Sequence, residues 1–418
     1  MQNCAINFSR SSKMKVLVVN AGSSSMKYQL FDMQNEQVIA KGNCERIGSP
    51  DSFIGHKSAD GREFKETTPM PTHSDAFERI VFALTKSDAA VIESMNEIKA
   101  VGHRIVQGGA IFKESCIVTE KVIEDIESLI PLAPLHNAAH VQGIRACIKA
   151  LGPDVPQVVV FDTSFHSTMP PKAYIFGVPY EYYEKYGVRR YGFHGTSHRY
   201  VSDRVAELEG KDKKDLKIVT CHLGNGSSIA AICDGKCIDT SMGLTPLDGI
   251  IMGTRSGTLD PSVVTFIQEK EGLSAPEMAQ YLNKKCGVLG ISGVSNDNRD
   301  VTEAAQQGHE RAQLSLDILH YQIAKYIGGY AAAMHGLDAV VFTGGIGENN
   351  YITRELVCDY LDFLGVELDK EYNMAHNKIK GHDIKISTPG SKVAVYAIST
   401  NEELVIARDT VKLVGGIK

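Results

Sequence analysis

Two glycine-serine turns, each set between apolar runs, constrain the fold of this chain more than any other feature. The first lies within VLVVNAGSSSMK, residues 16–27, and the second within IVTCHLGNGSSI, residues 218–229. A β-branched run, a turn of small residues and a second apolar run together predict a β-hairpin. Glycine lets the backbone approach an anion closely, and serine hydroxyls and free N–H groups can donate to it. We therefore predict two related lobes whose turns face one polyphosphate-binding cleft.

The segments after each turn follow a similar order of strands and helices. Apolar residues recur at helical spacing, and short apolar runs indicate buried strands. This order predicts an α/β protein with two duplicated lobes and mixed sheets. The segments are a helix over 75–84, a strand over 99–106, a helix over 136–150, a strand over 157–162, a long helix from about 303 to 335, a strand over 338–343 that enters a turn at 344–349, and a last strand over 392–398.

The lobes have predicted boundaries. Residues 1–13 lack an apolar stretch of signal-peptide length, and we predict that they form a disordered N-terminal extension. We assign residues 14–163 to an N-terminal lobe, which a C-terminal helix at 400–418 joins. Residues 164–399 would form the C-terminal, nucleotide-binding lobe.

Composition excludes several classes of function. The formal net charge is −6 and the isoelectric point is near 6.2, which argues against nucleic-acid binding because that needs a basic face. No apolar run reaches the roughly 18 residues of a membrane span. Nine scattered cysteines are typical of reduced thiols, and we expect a cytoplasmic protein without a disulfide framework or a zinc site.

Glycine turns and charged residues mark a candidate site for phosphate chemistry. The chain has no Walker A motif, so the turns at 22–24, 224–226 and 344–347 are the candidates for binding nucleotide. Asp162 ends a buried strand, where α/β clefts bind ligands, although a capping role is an alternative. Arg104 and Arg255 have glycine neighbours and suit a carboxylate or phosphate, although surface ion pairs are an alternative.

His194 and His198 have the i, i+4 spacing of some metal ligands. Their segment lacks the glutamate of the H-E-x-x-H zinc motif and contains a glycine, so a metal site is the weaker interpretation. A histidine at a cleft can instead donate to a transferring phosphoryl group. A histidine of the core or at a helix cap is the third interpretation.

Taken together, the motifs resemble those of the acetokinase family of short-chain acyl kinases over essentially the whole chain from Met14. No single motif is specific, but their order along the chain is. The motifs are NAGSSSMK at 20–27, GHRIV at 102–106, PLAPLHN at 131–137, FDTSFH at 161–166, RYGFHGTSH at 190–198, HLGNG at 222–226, MGTRSG at 252–257, GIGEN at 345–349 and TNEE at 400–403.

The resemblance implies the fold of the actin, hexokinase and Hsp70-like ATPases, with ribonuclease H-like mixed sheets and flanking helices. It also implies a homodimer and a reversible phosphoryl transfer from ATP to acetate that gives acetyl phosphate and ADP. Mg²⁺ would be the cofactor, with Mn²⁺ as an alternative. We expect neither a nucleic-acid partner nor a membrane partner.

The resemblance also implies roles for individual residues. Asn20 and Glu402 would hold the metal. Asp162, His194 and Arg255 would be catalytic, with Asp162 positioning a cation or the acyl carboxylate rather than acting as a general base. Arg104 would bind the carboxylate, and the methyl pocket would contain Val106, Leu135, Phe193 and Pro246. The nucleotide would contact Lys27, His222, Leu223, Gly224, Asn225, Gly226, Asp297, Asn298, Arg299, Gly345, Ile346, Gly347, Glu348 and Asn349.

Two other functions remain open from the sequence. Propionate kinase has the same chemistry with one more methylene, a difference worth only ~1–3 kcal/mol. An actin- or Hsp70-like ATPase would have the same fold without a small acceptor, although it would not need a carboxylate clamp. Asn298 is polar where relatives place an apolar or aromatic residue beside the adenine, so we expect weaker packing on the base.

Overall fold

The computed structural model describes residues 14–134 and 136–415, and these residues divide into two units. Unit 1 runs to Ser164 and resumes at Glu402, and unit 2 comprises Phe165–Asn401. The predicted extension at 1–13 lies outside the described residues. None of the described helices combines the length and the apolar character needed to cross a membrane.

Unit 1 is built on an eight-stranded mixed sheet in the order β5-β4-β3-β2-β1-β6-β8-β7. The central strand β1 pairs with β2 in an antiparallel hairpin and with β6 in parallel. Its four residues 16–19 are buried, which explains the apolar run in the sequence. The strands are β1 (Lys15–Ala21), β2 (Ser25–Asp32), β3 (Gln37–Glu45), β4 (Phe53–Ser58), β5 (Glu63–Thr67), β6 (Ile98–Ile105), β7 (Cys116–Ile117) and β8 (Gln157–Phe161).

The helices of unit 1 include one that comes from the end of the chain. This helix packs against β6 at Gly102, which has no side chain. A Cβ at this position would lie 2.5 Å from Thr410 Oγ1 and 2.6 Å from Ile406 Cγ2 of the helix. The close approach holds the start of that helix near the carboxyl end of β6. The four helices are α1 (His73–Thr85), α2 (Glu120–Ser128), α3 (Asn137–Leu151) and α15 (Glu402–Val414).

Unit 2 repeats the pattern on a six-stranded sheet in the order β11-β10-β9-β12-β14-β13. Its central strand β9 pairs with β10 in an antiparallel hairpin and with β12 in parallel, as β1 does with β2 and β6. Every residue of β12 is buried, as in β8 of unit 1. The strands are β9 (Lys217–Leu223), β10 (Ser227–Cys233), β11 (Lys236–Thr240), β12 (Ala339–Thr343), β13 (Asp383–Lys385) and β14 (Ala394–Ile398).

The largest apolar core of unit 2 lies between this sheet and α11, which buries ten of its side chains. The helices of unit 2 are α4 (Pro171–Tyr174), α5 (Glu181–Tyr186), α6 (Gly195–Glu209), α7 (Pro261–Glu271), α8 (Ala275–Lys284), α9 (Gly287–Ser292), α10 (Asn298–Gln306), α11 (Glu310–Ala333), α12 (Gly344–Asn349), α13 (Tyr351–Cys358) and α14 (Lys370–Ala375).

The structure confirms the α/β class, the mixed sheets and both predicted hairpins. It corrects two local predictions. The long helix over 303–335 is in fact two helices, α10 and α11, because Gly308 adopts a left-handed φ of 88° that no continuous helix allows. The predicted turn at 344–349 is the short helix α12, which begins directly after β12.

We predict that Gly102→Ala destabilises the protein because the new methyl group has no space between β6 and α15. Overpacking of this kind costs ~1–3 kcal/mol. The urea midpoint, followed by circular dichroism, should fall. Gly329→Ala is the matched control, since a Cβ there meets nothing within 4 Å and alanine favours the helix. An unchanged midpoint for Gly102→Ala would contradict the packing argument.

Candidate active site

Three polar side chains of unit 1 lie at the carboxyl ends of neighbouring strands. Asn20 is near the end of β1, Arg104 is near the end of β6, and Asp162 directly follows β8. Because β1, β6 and β8 are parallel, these ends meet at one edge of the sheet. This is the edge where α/β sheets place their ligands.

Arg104 and Asp162 form a bidentate ion pair at this edge. Arg104 Nε donates to Asp162 Oδ1 at 2.9 Å and Nη2 donates to Oδ2 at 2.8 Å. Glu402 lies 3.7 Å from the same guanidinium. Burial lowers the pKa of Arg104, but the charges of Asp162 and Glu402 outweigh it and the pKa is raised overall. The guanidinium is therefore held rigidly as a cation, and the Asp162 side chain is only 2% exposed.

The predicted metal ligands share a cavity with this arginine. Asn20, Lys27, Arg104, Glu402 and Glu403 all line a cavity of about 450 Å³ within unit 1. Asn20 and Lys27 are direct cross-strand partners in the first hairpin. Burial, and then the neighbouring charge of Glu402, raise the pKa of Glu403. The predicted site residues did not include Glu403, which follows Glu402 in the TNEE motif.

One described residue of the predicted methyl pocket, Val106, belongs to unit 1. Val106 follows β6 and is buried, and its N–H donates to Nε2 of His140 at 3.2 Å. Leu135 lies outside the described residues. Burial lowers the pKa of His140 to about 3, with the charges of His136 and Arg104 adding to the effect.

In unit 2, the backbone places His194 directly before α6. His194 adopts a left-handed φ of 57°, which is uncommon for a residue other than glycine. Its Nδ1 lies 2.9 Å from Ser228 Oγ, and its ring stacks on His222 with centroids 4.2 Å apart. The carbonyl of the preceding Phe193 accepts a hydrogen bond from His166, and the Phe193 side chain is buried. Strained backbone with such support is typical of functional sites.

Arg255 lies beside His194 and the second glycine turn. A Cβ on Gly226 would lie 3.2 Å from Arg255 Nη1 and 3.8 Å from His194 Cε1. Arg255 Nη1 donates to the Pro246 carbonyl at 3.0 Å, and burial lowers the pKa of the arginine. Within residues 14–134 and 136–415, no carboxylate pairs with this guanidinium. Pro246 therefore contacts Arg255 through its backbone carbonyl.

The glycine turn after β9 lies next to the start of α12. The parallel register pairs Thr343 with His222, so both strands end at the same edge. A Cβ on Gly344 would come within 2.8 Å of the Leu223 carbonyl oxygen. The segments 222–226 and 345–349 are thus brought together, as the predicted nucleotide site requires.

The side chain of Glu348 holds the start of α12 in place. Its Oε1 accepts from the Gly344 N–H at 3.0 Å and from the Thr400 N–H at 3.2 Å. Its Oε2 accepts from the Ser399 hydroxyl at 2.8 Å. The carboxylate thus links α12 to the segment after β14.

The third predicted nucleotide segment begins α10. Asp297 caps this helix and pairs with Arg299, whose side chain is 89% exposed. Asn298 accepts a hydrogen bond from Asn350 Nδ2 at 2.7 Å, while its own buried Nδ2 has no partner in the described part of the chain. This segment therefore contacts the residue after α12.

Asn225 in the second turn is bonded to a neighbour of this segment. Its Oδ1 accepts from Asn296 Nδ2 at 3.1 Å. The two asparagines, together with the bond between Asn298 and Asn350, join all three predicted nucleotide segments within unit 2. Sequence reasoning missed Asn296 and Asn350, since each lies just outside a predicted nucleotide segment.

The described residues contain no cluster of three or more His, Cys, Asp and Glu side chains placed to hold a metal ion. The two histidines at i, i+4 take part in hydrogen bonds with hydroxyl groups instead. His198 contacts Thr220 and Ser228, and His194 contacts Ser228. Their spacing thus belongs to a hydrogen-bonded network of unit 2.

Comparison with known proteins decides the family. The model of the acetokinase family matches residues 15–408. The chain belongs to the acetokinase family. It is 57% identical over 402 residues to the acetate kinase of Thermotoga maritima, which covers 96% of this chain and 99% of that protein.

Solved structures of the family have the same fold. A crystal structure of Porphyromonas gingivalis acetate kinase matches with a TM-score of 0.92 and 48% identity, over 96% of this chain and 100% of that one. A propionate kinase of Francisella tularensis matches with a TM-score of 0.88 and 40% identity, with the same coverage. The family, the fold class and the kinase activity that the sequence predicted are therefore confirmed.

We predict that His140 makes stability depend on pH below about 6.5, the pKa of a free histidine. An unfolded chain protonates this residue between pH 6.5 and about 3, whereas the folded protein holds it neutral, so stability is lost as pH falls. His140→Gln should reduce the loss of unfolding free energy between pH 6.5 and 4 by up to ~1.4 kcal/mol per pH unit, which is measured as a smaller fall in melting temperature. His335→Asn, which changes an exposed histidine, is the control, and equal slopes for all three proteins would contradict the prediction.

Proposed function

We propose that this chain catalyses reversible phosphoryl transfer from ATP to acetate, giving acetyl phosphate and ADP. Membership of the acetokinase family supports this reaction. The structural observation that carries the proposal is the environment of the Arg255 guanidinium. A partly buried guanidinium without a carboxylate partner in the described residues favours binding an anion. Gly226 has no side chain, which leaves room for the Arg255 guanidinium, and the neighbouring His194 offers a ring donor to a phosphoryl group.

Arg104 and Asp162 divide the work on the acceptor side. Acetate is already an anion, so it needs no general base. Both oxygens of Asp162 accept from Arg104, which supports a role for Asp162 in positioning a cation. The remaining face of the guanidinium then binds the carboxylate, as arginine does in many such sites.

In the forward reaction, one acetate oxygen attacks the γ-phosphorus in line with the bond to the bridging oxygen of ADP. That bond breaks, and ADP takes the electron pair. The difficulty is the repulsion between acetate and a highly charged triphosphate, rather than any proton transfer. Arg255 and His194 of unit 2 would offset this charge by donating to phosphoryl oxygens.

The three linked segments of unit 2 would bind the nucleotide. Backbone N–H groups of the turn at 222–226 and of the segment 345–349 are suited to the phosphates. Gly345 has no atom near its missing side chain, which leaves the backbone open to a ligand. The segment 297–299 would contact the adenosine, where the unpaired Nδ2 of Asn298 offers a donor.

Asn20 and Glu402 fit a magnesium ion. An amide oxygen and a carboxylate oxygen line the same cavity, and Mg²⁺ prefers such hard oxygen ligands together with substrate phosphates. When bound, the ion would neutralise phosphate charge. Asn20 and Glu402 would orient it by their positions at the ends of β1 and α15.

In unit 1, the buried Val106 would contact the alkyl group of the acid and limit its size. One methylene is worth only ~1–3 kcal/mol in such a pocket, so propionate is the natural competitor. Because the chain is similar to a propionate kinase, acetate and propionate are both tested as substrates.

We also propose a homodimer. Tyr180, Tyr182 and Tyr186 are 58%, 42% and 65% exposed on one short segment. Exposed aromatic residues are enriched at protein interfaces. Light scattering should then show twice the mass of the 45.6 kDa chain, and a monomeric mass would refute the dimer.

The proposed activity is tested by trapping the acyl phosphate with hydroxylamine. The protein is incubated with ATP and Mg²⁺ and with acetate, propionate or no acid. We expect acyl hydroxamate only when an acid is present, a higher kcat/KM for acetate, and no product after chelation of the metal. A higher kcat/KM for propionate would reassign the substrate, and ATP hydrolysis that is equal without acid would favour an ATPase.

We predict that Asp162→Asn lowers kcat/KM for acetate on the order of 100-fold. Removing one partner of a largely buried ion pair costs ~3–5 kcal/mol, and here it releases Arg104 from its position. The KM for acetate should rise more than the KM for ATP. Asp383→Asn is the matched control, because Asp383 also accepts two hydrogen bonds from one arginine, Arg204, away from the proposed site. Near-normal kinetics for Asp162→Asn would reduce Asp162 to a structural residue.

A further inference from the structure

A chain of hydrogen bonds runs from His194 into the interior of unit 2. His194 Nδ1 lies 2.9 Å from Ser228 Oγ, and the same oxygen lies 2.7 Å from Nε2 of His198. On its other side, His198 Nδ1 lies 2.7 Å from Thr220 Oγ1. The order is thus imidazole, hydroxyl, imidazole, hydroxyl.

The inner three members are sealed from solvent. Thr220, Ser228 and His198 each have a relative exposure of 0%. Burial, and then the neighbouring histidines His166 and His222, lower the pKa of His198 well below its usual value. His198 is therefore a neutral ring with one proton, and that proton lies on either Nδ1 or Nε2.

One arrangement of protons satisfies every group in the chain. The Thr220 hydroxyl donates to His198 Nδ1, and His198 Nε2–H donates to Ser228 Oγ. The Ser228 hydroxyl then donates to His194 Nδ1, which must be a lone pair. The ring proton of His194 is left on Nε2.

The reverse arrangement leaves a buried donor without an acceptor. If His198 carried its proton on Nδ1, it would donate to Thr220, and the hydroxyl proton of Thr220 would have no acceptor. His198 is the only partner of this hydroxyl in the part of the chain that the structure describes. A buried donor without a partner costs ~1–3 kcal/mol, which favours the first arrangement.

We propose that Ser228, His198 and Thr220 are positioning residues that hold His194 in the tautomer with its proton on Nε2. The proposal rests on the proposed function, in which His194 donates to the transferring phosphoryl group. None of the three inner residues would touch substrate, because all three are fully buried. They act by setting which nitrogen of His194 carries the donor.

The tautomer matters because the two nitrogens of the ring face different groups. Nδ1 faces Ser228, so a donor to a phosphoryl oxygen must come from Nε2. In the other tautomer Nε2 would present a lone pair, which repels an anion. A neutral imidazole N–H is a known electrophilic donor in enzymes, and it adds no proton that could be lost during the reaction. The left-handed backbone of His194 and its stacking on His222 fix the ring in this direction.

A second series of hydrogen bonds in unit 2 donates in the same direction, towards Nδ1 of a histidine. The Thr400 hydroxyl donates to Ser197 Oγ at 2.8 Å, and Ser197 Oγ lies 2.7 Å from His222 Nδ1. Because Thr400 supplies the proton, the Ser197 hydroxyl donates to Nδ1 of His222. Both stacked histidines are therefore held with Nδ1 as acceptor.

The tautomer can be read directly by NMR of the full chain labelled with ¹⁵N-histidine. The resonances of His194 are assigned by their loss in His194→Gln. We expect a protonated Nε2 and a hydrogen-bonded, nonprotonated Nδ1. In Ser228→Ala, the Nδ1 resonance should move towards that of a lone pair without a donor. A protonated Nδ1 in the parent protein would overturn the proposal, and so would an unchanged Nδ1 resonance in the variant.

Kinetics test whether this positioning serves the reaction. Ser228→Ala should lower kcat about tenfold, below the ~100-fold or more that complete loss of such a donor costs, and leave both KM values within about threefold. Ser315→Ala is the matched control, because it removes a fully buried serine hydroxyl whose one partner among the described residues is the Ala312 carbonyl. An equal loss of kcat in both variants would assign the effect to stability and overturn the proposal, as would an unchanged kcat in Ser228→Ala.

Thr220, at the inner end of the hydrogen-bond series, allows two conservative variants to be compared. Thr220→Ser keeps the hydroxyl and should retain kcat within about twofold, whereas the near-isosteric Thr220→Val should lower it, by less than Ser228→Ala. Equal kcat values for the two variants would remove Thr220 from the proposal. Absence of acyl phosphate formation by the parent protein would overturn the proposed function, while the His194 resonances would separately confirm or refute the tautomer.

Discussion

The parallel pairing beside each central strand is the constraint on which the rest of the structure depends. In unit 1, β1 and β6 run in the same direction, and in unit 2, β9 and β12 do. Parallel strands end at one edge, so residues far apart in the chain meet there. Arg104 reaches Asp162 across 58 positions in this way, and the turn after His222 reaches Gly344. A buried parallel core thus positions polar groups that the local sequence does not connect.

The two arginines show how the surroundings give one residue type two roles. Arg104 is neutralised by Asp162 in a bidentate pair, so its direction is fixed and its net field is small. Arg255 bonds to a backbone carbonyl and has no carboxylate partner in the described residues, so its charge stays available. Arg104 is therefore suited to hold an anionic acceptor, and Arg255 is suited to offset the negative charge of a phosphoryl group. The glycine near Arg104 serves packing rather than access, because a Cβ on Gly102 would meet Thr410 and Ile406 of α15.

Much of the fold was predictable because its signals are local. The apolar run at 16–19 and the turn at 224–226 predicted both hairpins, since β-branched runs beside glycine have few other conformations. The prediction of one long helix over 303–335 was wrong because Gly308 adopts a left-handed φ and separates α10 from α11. The apolar pattern continues on both sides of this residue, so the pattern does not show the break. The segment 344–349 was predicted as a turn because glycine disfavours helices, yet Glu348 stabilises α12 through its bonds to Gly344 and Thr400.

By itself, the sequence determined the α/β class, the family and the identity of the candidate site residues, because hairpins, strand periodicity and ordered motifs are written in consecutive residues. Only the tertiary structure decided how those residues are held. Asp162 is bound at both oxygens by Arg104, and Ser228 bridges His194 and His198. These contacts join residues dozens of positions apart, and buried hydroxyl groups such as those of Ser228 and Thr220 leave no mark in the sequence. Long-range hydrogen bonds form only after the sheets bring their partners together, so no local pattern encodes them.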